Sequence, residues 1–290
     1  MTRYNLDTCS MLAELNISQW TARKLDKTTT DEVVVSKNAG AKDAARVNKH
    51  LLAGRTELEV INKHVGATRT YFYDNTLPWS DSGIRLLPTS NFLVFDARMT
   101  QFADEFVQLV ADFNIIYPTL ITAQAMALGG MFNRNDYPSP DDIVRRFDFR
   151  VNYMPVPMAG DFRVDVGNDA QTELQAKLDK LADERVNYAM QDLTNRFKDH
   201  LERMSDRLGI DYVANDAKPR KFHETLITGG LDLCELAKTL NVINDPALEE
   251  VRVKLYNMLN GVDVKDLKQD LGFRKDTKTQ VDQILDAFNF

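Results

Sequence analysis

Three long stretches of the chain, 42–75, 97–128 and 169–208, repeat apolar residues at alternating spacings of three and four. This spacing places the apolar side chains along one stripe of an α-helix, and such a stripe must be buried against another surface. A helix of about 35 residues spans roughly 50 Å, which is far longer than the usual globular helix. We therefore predict a mainly α fold, an elongated bundle of three long coiled-coil-like helices packed antiparallel. The stripe positions are Val47, Leu51, Gly54, Leu58, Ile61, Val65, Thr68 and Phe72, then Phe102, Phe106, Leu109, Phe113, Ile116 and Leu120, then Leu174, Leu178, Leu181, Ala189, Leu193, Phe197, Leu201, Met204 and Leu208.

Between the second and third helices the apolar period changes from helical spacing to alternation. Alternation of apolar and polar residues is typical of a strand with one buried face, so we predict a small β-hairpin at about 146–166, at one end of the bundle. Its apolar positions are Phe147, Phe149, Val151, Tyr153, Phe162, Val164 and Val166. A shorter strand is predicted at Val33-Val34-Val35, because β-branched residues favour extended structure.

The same patterns divide the chain into three segments. We predict an N-terminal segment at 1–41, the long-helix bundle with its hairpin at 42–213, and a small C-terminal helical module at 214–290. Within the second helix Pro118 predicts a kink, and Gly129 with Gly130 predicts its end. Short helical patterns are expected in the module at about 222–240, 246–259, 264–271 and 277–290.

The charge and cysteine content limit the classes of function. The formal net charge is −7, which disfavours binding to nucleic acid or anionic membranes through the whole surface. Cys9 and Cys234 lie far apart with no metal-like spacing, so a reducing, cytoplasmic compartment is expected.

Motifs for catalysis are not found in the sequence. There is no phosphate-binding loop, dinucleotide fingerprint, nucleophile elbow or HExxH pattern, so we predict that the protein is not an enzyme and has no catalytic, cofactor-binding or metal residues. His50 and His64 lie two heptads apart, and His200 could lie near them, but no Glu-x-x-His pattern supports a metal site, so these histidines are expected to flank the helix stripes. Asp141 and Asp142 follow Ser139-Pro140 and predict a helix N-terminus rather than a metal site.

The hairpin carries the candidate interaction residues, which are Arg146, Arg150, Met154, Met158 and Arg163. Arginines interleaved with aromatic residues can bind phosphates and stack bases, so a nucleic-acid-binding accessory protein is one hypothesis. The alternative is that the arginines pair with Asp148 and Asp165 while the aromatic rings face the core. A second basic cluster, at 218–221, is interpreted as a linker.

The segment 113–133 contains no charged residue and is long enough to cross a membrane. Its proline, glycine and amide content favours a buried, kinked helix, and a helical membrane-active protein remains the third hypothesis.

Four short segments resemble the DUF3150-like family of uncharacterised bacteriophage and mobile-element proteins. They are WTARKL at 20–25, TLPWSDSG at 76–83, Tyr117-Pro118, and MPVPMAGDFR at 154–163. The resemblance covers about residues 10–210 and leaves the C-terminal module outside. It implies a phage-encoded protein that acts in the cytoplasm of a bacterial host cell, and it suggests an AAA-type ATPase as a partner. It supplies no catalytic residues.

Long amphipathic helices whose apolar face is not wholly buried within the bundle favour oligomers and adaptors, because the exposed part of that face can pair with another copy. The leading hypothesis is therefore a non-enzymatic structural, assembly or adaptor protein that acts through protein–protein contacts, as a homo-oligomer or with a protein partner.

Overall fold

A computed structural model describes residues 6–41, 43–157, 168–213 and 216–287. The protein is mostly helical with a small β-sheet, which confirms the predicted mainly α class. The helices are α1 (Leu6–Cys9), α2 (Lys27–Ser36), α3 (Glu57–Asp74), α4 (Phe92–Ala127), α5 (Pro140–Val144), α6 (Asn168–Leu208), α7 (Thr225–Leu240), α8 (Pro246–Leu259), α9 (Val264–Gln269) and α10 (Leu271–Ala287). Single 3₁₀ turns occupy Thr89–Asn91, Gly129–Met131 and Arg134–Asp136.

In the described ranges the strands form one four-stranded sheet and two short antiparallel pairs. They are β1 (Ser10–Ser18), β2 (Arg23–Leu25), β3 (Asn48–His50), β4 (Leu77–Pro78), β5 (Arg85–Pro88), β6 (Asp148–Pro155), β7 (Ile210–Val213) and β8 (Asp216–Pro219). The larger sheet has the order β4-β5-β1-β6, and Ser10 of β1 lies opposite Pro88 of β5. The pairs are β2 with β3 and β7 with β8.

The chain forms two compact units, each assembled from separate stretches of sequence. Unit 1 contains residues 1–14, 71–95 and 152–290, and unit 2 contains residues 15–70 and 96–151. The predicted segments 1–41, 42–213 and 214–290 instead follow chain order. That sequential division stays a prediction.

The core of unit 1 is built on α6, which packs against α7 and α10. The last five stripe positions predicted for the third helix, Leu193, Phe197, Leu201, Met204 and Leu208, are all fully buried. They meet apolar side chains of the C-terminal helices, among them Leu240, Leu255 and Leu259. The amphipathic stripe is therefore covered by the C-terminal helices of the same unit.

The core of unit 2 is rich in aromatic residues. Trp20 contacts Phe113 and Tyr117 of α4, with a centroid distance of 5.6 Å to the Tyr117 ring in an edge-to-face arrangement. Ile61 and Val65 of α3, each 1% exposed, belong to the same cluster.

The first long helix is shorter than predicted. The pattern over 42–75 predicts one helix, but α3 begins at Glu57, and Asn48–His50 form a strand that pairs with Arg23–Leu25. Gly54 has φ +71°, a left-handed conformation that interrupts a right-handed helix. The first three stripe positions therefore lie outside the helix.

The strand predicted at Val33-Val34-Val35 is also wrong, because these residues belong to α2. The side chain of Asp26 accepts a hydrogen bond from the Thr29 backbone N–H and caps this helix, and Val34 is buried. The cap and the burial of Val34 outweigh the β-propensity of three consecutive valines.

One strand of the predicted hairpin is present, and the hairpin itself stays a prediction. Its first strand is β6, whose neighbour in the sheet is β1. The predicted return strand at 162–166 lies outside the described residues, as do the candidate residues Met158 and Arg163. The other predicted ends agree with the structure, since α4 ends at Ala127 before Gly129 and α6 ends at Leu208 before Gly209.

Candidate functional site

The arginines of the predicted hairpin are placed differently from one another. Arg150 is exposed and donates from Nε to the Asp148 carboxylate at 2.7 Å. The rings of Phe147 and Phe149 contact Phe106, at centroid distances of 6.3 and 5.7 Å. These contacts are those expected when the arginine pairs locally and the rings face the core. Nucleic-acid binding by this strand stays a prediction.

Met154, another candidate interaction residue, is half-buried and packs against the core of unit 1. Its side chain contributes packing in this position. Arg146, in contrast, is exposed and lies just after α5.

Arg146 lines a pocket of about 270 Å³ within unit 2. The walls come from the segment around β2, from the residue after β3, from the 3₁₀ turn at Arg134–Asp136, and from the end of α5. The lining residues are Trp20, Arg23, Lys24, Leu51, Asn135, Asp136, Tyr137, Pro138 and Arg146. The fold thus brings the predicted residue Arg146 together with three residues from 20–24.

An ion network lies beneath this pocket. The carboxylate of Asp136 is 2.8 Å from Lys24 Nζ and 2.7 Å from Lys49 Nζ, and Lys49 also lies 3.6 Å from Asp26. Lys49 Nζ donates a further hydrogen bond to the Met131 carbonyl at 3.0 Å. The side chain of Lys49 is 8% exposed, so its charge is satisfied almost wholly by protein groups.

The network shifts the pKa values of Asp136, Asp26 and Lys49 toward their charged forms. Burial acts to raise the pKa of Asp136, but hydrogen bonds and charge from Lys24 and Lys49 outweigh it and hold that pKa below its ordinary value. The Thr29 backbone N–H lowers the pKa of Asp26, and the hydrogen bond to Asp136 raises the pKa of Lys49. All three groups are therefore charged at neutral pH.

Two tyrosines bond to the backbone of the pocket, and Tyr137 also lines it. Tyr137 donates from its hydroxyl to the Leu51 carbonyl at 2.7 Å, and Tyr117 donates to the Pro138 carbonyl at 3.2 Å. Burial raises the pKa of each tyrosine to about 12. Both hydroxyls stay neutral and hold the backbone of the pocket in place.

A larger cleft of about 1640 Å³ lies within unit 1, beside the end of α6. It contains part of the basic cluster predicted at 218–221. Arg220 makes ion pairs with Asp206 and Asp211, and Arg274 donates to the backbone carbonyls of Arg207 and Leu208. Arg220 and Arg274 are therefore committed to internal contacts.

His64, His200 and the buried Cys234 have internal roles. His64 bonds the Phe102 carbonyl at 2.9 Å, and His200, 6% exposed, bonds the Leu226 carbonyl at 3.1 Å. Burial lowers the pKa of His200 and raises the pKa of the Cys234 thiol to about 11. Within the described ranges, no group of three histidine, cysteine or acidic side chains is arranged to hold a metal ion. His50, which the sequence places on the first long helix, lies in strand β3.

The exposed side of α4 in unit 2 is the second surface of interest. We define the outer face of α4 as Val107, Ala111, Ile115, Pro118, Thr122 and Met126, which are all exposed. Their spacing of three and four places them on one stripe, opposite the buried Phe106, Phe113 and Tyr117. Val107 is 66% exposed, Ile115 77% and Met126 90%. Exposed apolar side chains that are contiguous along a helix often mark an interaction surface.

This helix also has the length and composition of a membrane-crossing segment. In the part of the chain that the structure describes, Thr89–Ala127 is the one such candidate, with a mean hydropathy of 1.3 over its best window. Only 33% of that window is buried.

Neither a protein-family model, nor a curated protein, nor a solved structure matches the chain. The resemblance to the DUF3150-like family, with the phage origin it implies, stays a prediction.

Sequence reasoning did not identify Arg23, Lys24 and Asn135 as neighbours of Arg146. Arg23 and Lys24 lie more than 100 positions before Asn135 and Arg146 along the chain, and no motif joins the two regions. The pairing of β2 with β3 places Lys24 beside Lys49, and the ion pairs of both lysines with Asp136 join this region to residues 135–146.

Proposed function

We propose that the protein is a non-enzymatic assembly protein that associates with a second copy of itself through the outer face of α4. The observation that carries this proposal is the exposure of Val107, Ile115 and Met126 on one uncharged stripe. A partner with charged residues at this surface would have to desolvate them without any complementary charge. A second copy offers an equally uncharged stripe.

The stripe also suits helix–helix packing. Residues spaced by four form a ridge that can lie in the groove of an identical helix, and a two-fold axis makes the same patch meet itself. The Thr122 hydroxyl donates to the Pro118 carbonyl at 3.2 Å, so it needs no partner across the interface. Ala111 and Thr122 are small enough to permit close approach.

The finer picture, in which three coiled-coil-like helices form an elongated bundle with a hairpin at one end, is part of the same proposal. The association does not depend on it, because α4 alone supplies the contact surface. The bacterial cytoplasm and an AAA-type ATPase partner rest on the family resemblance.

Sedimentation velocity at rising concentration tests the self-association. We expect the average mass to increase between about 1 µM and about 100 µM, which corresponds to association free energies of about −8 to about −5.5 kcal/mol. Ile115→Lys should abolish the increase because it places a charge in the centre of the stripe. The matched control is Val60→Lys, which changes an apolar residue that is 52% exposed on α3 and leaves the outer face intact.

A constant monomer mass, or equal behaviour of Ile115→Lys and Val60→Lys, contradicts the proposal.

The membrane-active alternative is favoured by the low burial of the Thr89–Ala127 window. Flotation with anionic or neutral lipid vesicles separates the two. If the protein is a monomer at every concentration, and if it binds vesicles in a way that Ile115→Lys removes, the outer face of α4 inserts into membranes and does not mediate self-association.

A further inference from the structure

The pocket of unit 2 carries positive charge that its own residues do not neutralise. Among the described residues that line it, Asp136 is the one acid, and its two oxygens are taken by Lys24 and Lys49. Arg23 and Arg146 line the same pocket, and neither makes an ion pair with any residue in the described ranges. Two guanidinium groups are therefore left for a ligand.

We propose that this pocket binds the phosphate group of a phosphate monoester, with Arg23 and Arg146 as the binding residues. A guanidinium group presents parallel N–H donors that match two oxygens of one phosphate. The two uncommitted cations balance the two negative charges of a phosphate monoester near neutral pH.

The size of the pocket fits a small anionic group. Its volume of about 270 Å³ is slightly below the roughly 300–1000 Å³ typical of pockets for drug-sized ligands. A phosphate with a small part of the attached molecule fits this space. The source is either a free phosphomonoester or the 5′-phosphate of a nucleic acid, since both present the same group.

The pocket must bind an anion through local contacts and not through the overall charge of the molecule. The net charge of −7 repels polyanions at long range, so binding must come from local contacts. The walls are fixed, because the Tyr137 hydroxyl donates a hydrogen bond to the Leu51 carbonyl and the Asp136 carboxylate forms ion pairs with two lysines. A preformed site loses little conformational entropy when it binds.

Trp20 supplies the signal for the test. Trp20 lies in the pocket wall, and the other tryptophan, Trp79, belongs to unit 1. In a Trp79→Phe background the fluorescence of the full chain therefore reports on Trp20. The probes are inorganic phosphate, adenosine monophosphate, and one oligonucleotide with either a 5′-phosphate or a 5′-hydroxyl.

Arg146→Gln and Arg23→Gln are compared with Arg145→Gln. Arg145 is also exposed and is adjacent in sequence, but it does not line the pocket. We expect each pocket variant to weaken phosphate or adenosine monophosphate binding about 10- to 100-fold, as for a lost hydrogen bond to a charged group, and Arg145→Gln to have no effect. Circular dichroism checks that all three variants remain folded.

Two results overturn the proposal. One is the absence of a saturable response to every phosphate-bearing probe at low ionic strength, and the other is equal weakening by Arg145→Gln and Arg146→Gln. If the 5′-phosphorylated oligonucleotide binds more tightly than adenosine monophosphate, and the 5′-hydroxyl form does not bind, the source is a nucleic-acid end. If only adenosine monophosphate binds, the source is a small phosphomonoester.

Discussion

Two adjacent glycines in α7 should respond in opposite directions to the same substitution. A Cβ atom added at Gly230 would lie 2.5 Å from Leu259 Cδ1 and 2.8 Å from His200 Nε2. A Cβ atom at Gly229 would meet only His200 Cε1, at 3.7 Å, which is an ordinary van der Waals distance. The close approach of α7 to its neighbours therefore requires a glycine at position 230, but it does not require one at position 229.

The neighbours of Gly230 have little room to move. Leu259 is fully buried in the core of unit 1, and His200 is held by its hydrogen bond to the Leu226 carbonyl. Forcing an extra methyl group into a packed core costs about 1–3 kcal/mol. Replacing glycine by alanine inside a helix gains about 0.8–1 kcal/mol.

We therefore expect Gly230→Ala to lower the free energy of unfolding by up to about 2 kcal/mol, which is the packing cost less the helix gain. Gly229→Ala should raise that free energy by about 0.5–1 kcal/mol. Urea denaturation followed by far-ultraviolet circular dichroism measures both. A Gly230→Ala protein as stable as Gly229→Ala would refute the packing of α7 against α6 and α8.

Three further predictions concern buried polar groups. Arg274→Met should lower the free energy of unfolding by about 2–4 kcal/mol in urea denaturation, because it leaves buried carbonyls at the end of α6 without donors. Asp136→Asn should destabilise unit 2 by about 1–3 kcal/mol at neutral pH, since it breaks the ion network. The folded pKa of Asp136 lies below 3.8, so the stability that its charge contributes is present above pH 3.8 and is lost as the pH falls through the folded pKa. The free energies of unfolding of Asp136→Asn and the parent should therefore converge in acid. A thiol reagent at pH 8 should modify Cys9 and leave Cys234 unmodified until urea unfolds the protein, because burial raises the pKa of Cys234 to about 11.

The extents of α4 and α6 could be predicted because each carries a long apolar stripe, although the stripe of α6 has a gap between Leu181 and Ala189. The beginning of α3 could not be predicted from the same stripe, since apolar residues at 47 and 51 continue its spacing by chance. A local signal was present, because Thr56-Glu57-Leu58-Glu59 fits the capping-box pattern that starts a helix. Gly54 gave a second indication, and its φ of +71° is consistent with a break.

What covers each stripe could not be read from the spacing. A stripe states that a helix must be buried, but it does not identify the partner. The stripe of α6 is covered by α7 and α10. The pocket around Arg146 was beyond prediction for a related reason, because its walls come from regions that only the folded chain brings together.

Some arginines of this protein donate their hydrogen bonds to backbone carbonyls, and others do not. Arg196 donates to the carbonyls of Tyr73 and Asp74 at the end of α3, at 3.0 and 2.8 Å, and Arg274 does the same at the end of α6. A helix that ends inside a protein leaves carbonyls without partners, and a guanidinium group with several donors satisfies them. Such arginines stabilise the fold and are not available to a ligand. Arg23 and Arg146 line a pocket whose one acid among the described residues, Asp136, is already paired with Lys24 and Lys49, so their donors face water or an anion from solution.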